Sequence, residues 1–241
     1  MVVVIIKDEE FEKIKKEMTF LSRGKGSEGR VYRYNDLAVK ILKNPTYPHI
    51  EDGYNFLQRL NAERFTLIKD KIYENNRMIG FTMDFVDDKY EPLDYVPMSK
   101  FISDFKMINT DLSMFNKNKV YLVDVHKQNV LFNGSTYVID TNSYMPVDVY
   151  RELREESQTE DEVVKKVAKN NLTHINVGLI SFLGYRLSSK FSEEEKARFG
   201  RGLIADMGGI SNNLIYIGDY LQSDVSSFDT LESYAKRRLE K

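Results

Sequence analysis

Cysteine is absent from the 241 residues, which excludes a disulfide framework and thiolate metal or redox chemistry and agrees with a reducing compartment. The only histidines, His49, His126 and His174, are too scattered for zinc-type spacing. No apolar run approaches the roughly 20 residues that a membrane-spanning helix needs. The opening MVVVII lacks the basic segment of a secretory signal and runs straight into KDEEFEKIKKE, so it reads as a strand followed by a helix. An excess of one charge is missing too. Lys and Arg total 35 against 37 Asp and Glu, a net charge of -2, so no overall field exists to hold nucleic acid or an anionic membrane. These absences lead to the expectation of a cytoplasmic globular protein with no nucleic-acid partner and no membrane insertion.

A hydrophobic content of 41% is enough to bury one sizeable core or two lobes of roughly a hundred residues each. The stretch GKGSEGRVYRYNDLAVK, residues 24–40, carries Gly24, Gly26 and Gly29 as G-x-G-x-x-G. Three kinds of phosphate site share that pattern. A dinucleotide fold needs a helix to start at the third glycine, but RVYRY is aromatic and β-branched and reads as a strand. A Walker A loop needs Ser or Thr after its lysine, and Lys25 is followed by Gly26. What remains is a hairpin, with Asn35-Asp36 as the turn and LAVKIL as the second strand. Alternation along that strand puts Ala38 and Lys40 on one face and Leu37, Val39 and Ile41 on the other. Taken alone, these residues also fit a glycine-rich turn leading into a meander with a solvated Lys40.

A second segment, YLVDVHKQNVLFNGSTYVIDTNSY at 121–144, narrows the choice. It reads as an apolar strand ending at Asp124, then Asn129, then a hairpin whose tip is Asn133-Gly134, with Asp140 after TYVI. Folding back at Asn133-Gly134 brings Asn129 and Asp140 to the open end within a residue or two of register. An amide oxygen and a carboxylate side by side suit a hard cation that carries phosphates. Asp124 lies one short loop away, where it can accept a proton from an attacking hydroxyl.

The glycine hairpin, its lysine, and the D-x-x-x-x-N, strand, Asp order resemble the protein-kinase-like superfamily, which includes aminoglycoside and choline kinases. That resemblance implies an α+β, two-lobed fold: a small antiparallel β-rich lobe at 1–86 and a mostly helical lobe at 87–241. It implies ATP and Mg2+ as cofactors and a hydroxyl-bearing acceptor, protein or small molecule. Gly24, Gly26 and Gly29 would cover the phosphates, Lys40 would reach the α- and β-phosphates, and Val31 and Ala38 would line the adenine pocket. Asp124 would be the catalytic aspartate, with Asn129 and Asp140 the magnesium ligands. The backbone of Asp84 and Val86, at the end of RMIGFTMDFVDD, would read the adenine edge with Met83 behind it. Glu51, in the expected helix HIEDGYNFLQRLN, is the candidate partner of Lys40, and Glu63 is its rival.

Several departures bear on the substrate. Leu122 and Val123 precede Asp124 where protein kinases have His-Arg, and the triplet at Asp140 is Asp-Thr-Asn, without the usual Phe. His126, two residues after Asp124, favours the small-molecule phosphotransferases, although a hydrogen-bonded loop histidine fits as well. A nucleotide-binding pseudokinase acting as scaffold or regulator is the alternative, and AMP transfer is a third. Beyond the hairpin, RELREESQTEDEVVKKVAKN reads as a solvated helix with a loop near SQTED, and NLTHINVGLISFLGYRL as a separate buried helix. Ser192 and Glu195 form a capping box for the next helix, which Gly208-Gly209 ends. Helices over NNLIYIGDYLQS and from Asp229 to Lys241 complete the chain.

Overall fold

Alternating side chains and asparagine turns fold the first third of the chain into one sheet. The structure, a computed structural model, describes residues 5–6, 8–25, 28–44, 48–154, 157–208, 214–224 and 229–240. The chain divides into two compact units. One comprises Met1–Ala62 and Thr66–Val86, and the other Glu63–Phe65 and Asp87–Lys241. The class is α+β.

In the first unit, β1 (Ile5–Ile6) and α1 (Asp8–Glu17) precede β2 (Thr19–Lys25), β3 (Gly29–Tyr34) and β4 (Leu37–Leu42); α2 (Pro48–Leu57), β5 (Lys71–Glu74) and β6 (Arg77–Asp84) follow. The sheet order is β1-β5-β6-β4-β3-β2. Its last five strands are mutually antiparallel, and β1 adds to β5 in parallel. Two turns are set by asparagines in left-handed conformations, Asn35 between β3 and β4 and the pair Asn75-Asn76 between β5 and β6. Asparagine tolerates that region because its short amide can bond locally. One face of the sheet lies under α1, whose Phe11 and Ile14 pack with Val39 and Ile72. Complete burial of a side chain such as Val39 contributes about 1.5–3 kcal/mol. On α2, Tyr54 meets the ring of Phe81 edge-on at 5.2 Å between centroids.

The second unit is mostly helical. An apolar stripe runs along α3 (Met98–Lys117), where Phe101, Phe105, Ile108, Leu112 and Phe115 are buried at helical spacing. Short β7 (Val120–Tyr121) follows, then β8 (Val130–Phe132), β9 (Thr136–Val138), β10 (Met145–Pro146) and α4 (Val147–Arg154). Strand β10 pairs antiparallel with β7. Four helices finish the chain: α5 (Glu160–Tyr185), α6 (Glu193–Asp206), α7 (Ile217–Asp224) and α8 (Leu231–Glu240). The expected separation of a solvated helix from a buried one is corrected here. Residues 160–185 form one 26-residue helix, started by a capping box between Thr159 and Glu162. The charged first half and apolar second half are successive parts of one rod, because nothing between Lys169 and Thr173 breaks it. The Ser192–Glu195 box starts α6 as expected, and Gly208, at φ 81°, follows its end. Among the described residues no helix is long and apolar enough to cross a membrane.

The excursion Glu63–Phe65 is tied into the second unit by backbone bonds. The N–H groups of Glu63 and Arg64 donate to the Asp111 carboxylate of α3 at 3.2 and 2.7 Å. Val138 N–H donates to Arg64 O at 2.7 Å, so the excursion lies beside β9 like a short third strand. The buried carboxyl of Asp111 is pushed up by desolvation, against the lowering effect of those two amides.

Candidate functional site

Cross-strand register gathers four of the expected nucleotide-binding residues of the first unit. Val31 stands opposite Lys40, which stands opposite Phe81, while Ala38 stands opposite Met83. Directly opposed residues share a face, and so do alternate residues of one strand. Val31, Ala38, Lys40 and Met83 therefore lie on one side of the sheet, away from the Val39 face under α1. The Met83 sulfur accepts from the Thr66 hydroxyl at 3.6 Å.

Lys40 is only 4% exposed, and a buried ammonium requires a nearby anion. Its Nζ donates to Glu28 Oε2 at 2.9 Å. Glu28 sits in the turn between β2 and β3, and its side chain is half exposed. Sequence reasoning missed this residue, although Glu28 is the one acid within GKGSEG. The candidate Glu51 belongs to α2, but its side chain, and hence any pairing with Lys40, lies outside the described residues. Its rival Glu63 belongs to the second unit.

The glycines differ in what they do. Gly24 lies near the end of β2, and Gly26 is outside the described residues. Gly29 has a reason of its own: a Cβ there would come within 2.4 Å of the Ile41 carbonyl oxygen. Close approach of β3 to β4 thus requires glycine at this position whether or not a phosphate binds. At the other end of β4, Asp84 is the last residue of β6, opposite Leu37, and its carboxylate pairs with Lys69. Phe85 N–H donates to Asp36 O at 3.0 Å, and half-buried Val86 closes the unit.

In the second unit, Asn133-Gly134 turns the β8–β9 hairpin as its sequence requires, with Gly134 at φ 66°. The ladder continues past the strands, since Ile139 N–H donates to Asn129 O at 2.8 Å. Asn129 is therefore opposite Ile139, and Asp140 is the next residue along. The Asn129 amide nitrogen donates to Asp124 O at 2.9 Å, so of this amide only the oxygen could serve a cation. Asn129 joins Asp124 and the start of the Asp140 turn in one small framework.

The strand expected to end at Asp124 ends earlier, at Tyr121. Leu122 N–H donates to Asn171 Oδ1 at 2.8 Å, and Leu122 O lies 2.9 Å from His174 Nδ1, which must donate to it. Side chains of α5 thus replace a neighbouring strand. Asn171 also donates to Val120 O at 2.8 Å. Further along the same face, Gly178 lets α5 approach so closely that a Cβ would meet Val125 Cγ1 at 2.7 Å. The loop that carries Asp124 is therefore seated on Asn171, His174 and Gly178. None of the three was foreseen as part of the site.

Asp124 and Asp140 both adopt left-handed backbone conformations, at φ 63° and φ 60°. Non-glycine residues rarely do so, and such positions cluster at functional sites. His126 Nδ1 accepts from Gln128 N–H at 3.2 Å, which leaves the proton of the neutral ring on Nε2, 3.5 Å from Asp124 Oδ1. The His126 ring thus caps its own loop and also leans on the candidate catalytic carboxylate.

Among the described residues no group of three or more His, Asp or Glu side chains is arranged to hold a metal ion. Magnesium keeps several waters and is commonly held by one or two protein oxygens plus phosphates. Asn129 and Asp140 fit that donor set. No family model matches the chain, and no curated protein matches it.

Proposed function

We propose that this chain is an ATP- and Mg2+-dependent phosphotransferase of protein-kinase-like architecture that moves the γ-phosphoryl group of ATP to a hydroxyl. The observation that carries the reading is the Asp124, Asn129, Asp140 framework, in which a buried amide ties the loop of one aspartate to the turn of the other. The face bearing Val31, Ala38, Lys40 and Met83 supports it. Lys40 holds the α- and β-phosphates, and apolar Val31 and Ala38 cover the base. Asn129 and Asp140 hold magnesium, which neutralises phosphate charge when bound. Asp124 orients the acceptor hydroxyl and takes its proton as the new O–P bond forms and the bond to the β,γ-bridging oxygen of ATP breaks, releasing ADP. Catalysis is then mostly positioning and electrostatics. A cytoplasmic setting agrees with the lack of cysteine.

Mg-ATP at a hundred times its dissociation constant is expected to stabilise the protein by roughly 2.7 kcal/mol. ATP with a chelator is expected to do less. A melting experiment that shows no shift in millimolar Mg-ATP removes the nucleotide reading.

Glu28 supplies a further expectation. Its carboxylate occupies the Lys40 ammonium, and nucleotide phosphates need the same group. Glu28→Gln is expected to lower the melting temperature of the nucleotide-free protein while tightening Mg-ATP binding by up to about tenfold, the equivalent of roughly 1.4 kcal/mol. Calorimetric titration of both proteins provides the check. Weaker binding by the variant means instead that Glu28 helps to aim Lys40 at the phosphates.

A further inference from the structure

The backbone of Asp124 is held firmly, and its side chain is not. Its carbonyl oxygen accepts from the Asn129 amide at 2.9 Å, and its φ of 63° keeps it left-handed. The carboxylate, by contrast, is 59% exposed. An exposed aspartate turns about its side-chain bonds, and a base that wanders loses the advantage that orientation gives to positioned groups. Among the described residues, one side chain stands against this carboxylate: His126 Nε2 lies 3.5 Å from Asp124 Oδ1.

The His126 ring is itself fixed from behind. His126 caps the single helical turn Lys127–Asn129. Its carbonyl oxygen accepts from Asn129 N–H at 2.9 Å, and its Nδ1 accepts from Gln128 N–H at 3.2 Å. A ring nitrogen that accepts carries no proton, so the neutral ring holds its proton on Nε2, the nitrogen beside Asp124. The turn that brings Asn129 to the site thus also aims an N–H at the carboxylate. At 3.5 Å the contact is slightly longer than a formed N–H···O bond, and catalytic contacts of that length commonly tighten as substrate binds. Serine, aspartate or asparagine would cap the turn as well, but none of them carries a second donor beyond the cap. The imidazole does both.

We infer that His126 is a positioning residue for the proposed transfer: its Nε2–H holds Oδ1 of Asp124 and so turns the other carboxylate oxygen, Oδ2, toward the acceptor hydroxyl. This inference rests on the reading of Asp124 as the catalytic aspartate and names the group that aims it. His126 gives up no proton in this role. The acceptor's proton still passes to Asp124.

Two substitutions separate the two ring nitrogens. In His126→Asn the side-chain amide takes over the cap at the Nδ1 position and nothing reaches Asp124; in His126→Gln the amide replaces Nε2 and the cap is lost. His126→Asn is expected to keep the wild-type melting temperature and Mg-ATP affinity while ATP hydrolysis falls about 10–100-fold, the worth of a hydrogen bond to a charged group. His126→Gln is expected to melt lower and yet to turn over faster than His126→Asn. Turnover that follows stability instead, with His126→Asn at or above His126→Gln, makes the ring a cap alone and overturns the inference. Wild-type turnover in His126→Asn overturns it too and leaves the phosphotransferase reading standing. In an Asp124→Asn background, His126→Asn is expected to cost no further turnover, because the ring acts only through that carboxylate. A second full loss there sinks the inference. Wild-type turnover in Asp124→Asn alone removes the catalytic aspartate itself, and this inference with it.

Discussion

Asp124→Asn is expected to leave Mg-ATP binding close to wild type while lowering turnover by about 10²–10⁴-fold, the usual range for loss of a positioned general base. Asp140→Asn is expected to lower binding and turnover together. The difference follows from the roles assigned. Asp124 acts on the acceptor hydroxyl, so its charge is needed when the proton moves and contributes little to holding the nucleotide. Asp140 neutralises charge that is present in ground and transition states alike. Both substitutions are isosteric, and asparagine accepts the left-handed backbone found at each position, so the fold is preserved. ATP hydrolysis to water is the readout while the acceptor is unidentified, with calorimetry for binding. Loss of binding in Asp124→Asn with retention in Asp140→Asn reverses the assignment. A wild type that binds Mg-ATP yet shows neither hydrolysis nor transfer to a broad acceptor panel is a pseudokinase.

That experiment rests on residues whose proximity could be read locally. Asn129 and Asp140 meet because Asn133-Gly134 forces a tight hairpin, and ladder pairing does the rest over a dozen or so residues. Val31, Ala38 and Lys40 share a face for the same kind of reason: strand alternation, plus a turn at Asn35-Asp36, fixes their register. Where the sequence misled, long-range partners had replaced local rules. YLV reads as a strand, but Leu122 is held by Asn171 and His174, 49 and 52 residues away. Nothing in NLTHIN marks those side chains as backbone partners of a loop. Glu28 was legible as an acid among glycines, but its reach to Lys40 depends on how the β2–β3 turn folds.

The most destabilising single change expected in the second unit concerns Asp104, a residue with no signal in the sequence beyond its place on the buried side of α3. Its side chain is completely buried. One oxygen accepts from Thr136 N–H at 2.7 Å, and the other accepts from Lys100 Nζ at 2.8 Å and lies 3.4 Å from the Arg64 guanidinium. A single carboxylate thus ties together α3, the Glu63–Phe65 excursion and the first residue of β9. Asp104→Ala leaves a buried amide and a mostly buried guanidinium without their acceptor. Breaking one partner out of such a buried pair costs about 3–5 kcal/mol, a large share of the 5–15 kcal/mol typical of a whole domain. A hydrogen-bond acceptor remains in Asp104→Asn, so that variant is expected to lose less. Because Thr136 opens the strand that leads to Asp140, faster amide exchange at Thr136 and Val138 and weaker Mg-ATP binding are expected to accompany the loss. Urea titration followed by tyrosine fluorescence measures the first effect, and calorimetry the second. Should Asp104→Ala unfold within about 0.5 kcal/mol of wild type, the size expected for an ordinary surface substitution, the hairpin is held by its own turn and by Phe65. Asp104 is then not its anchor.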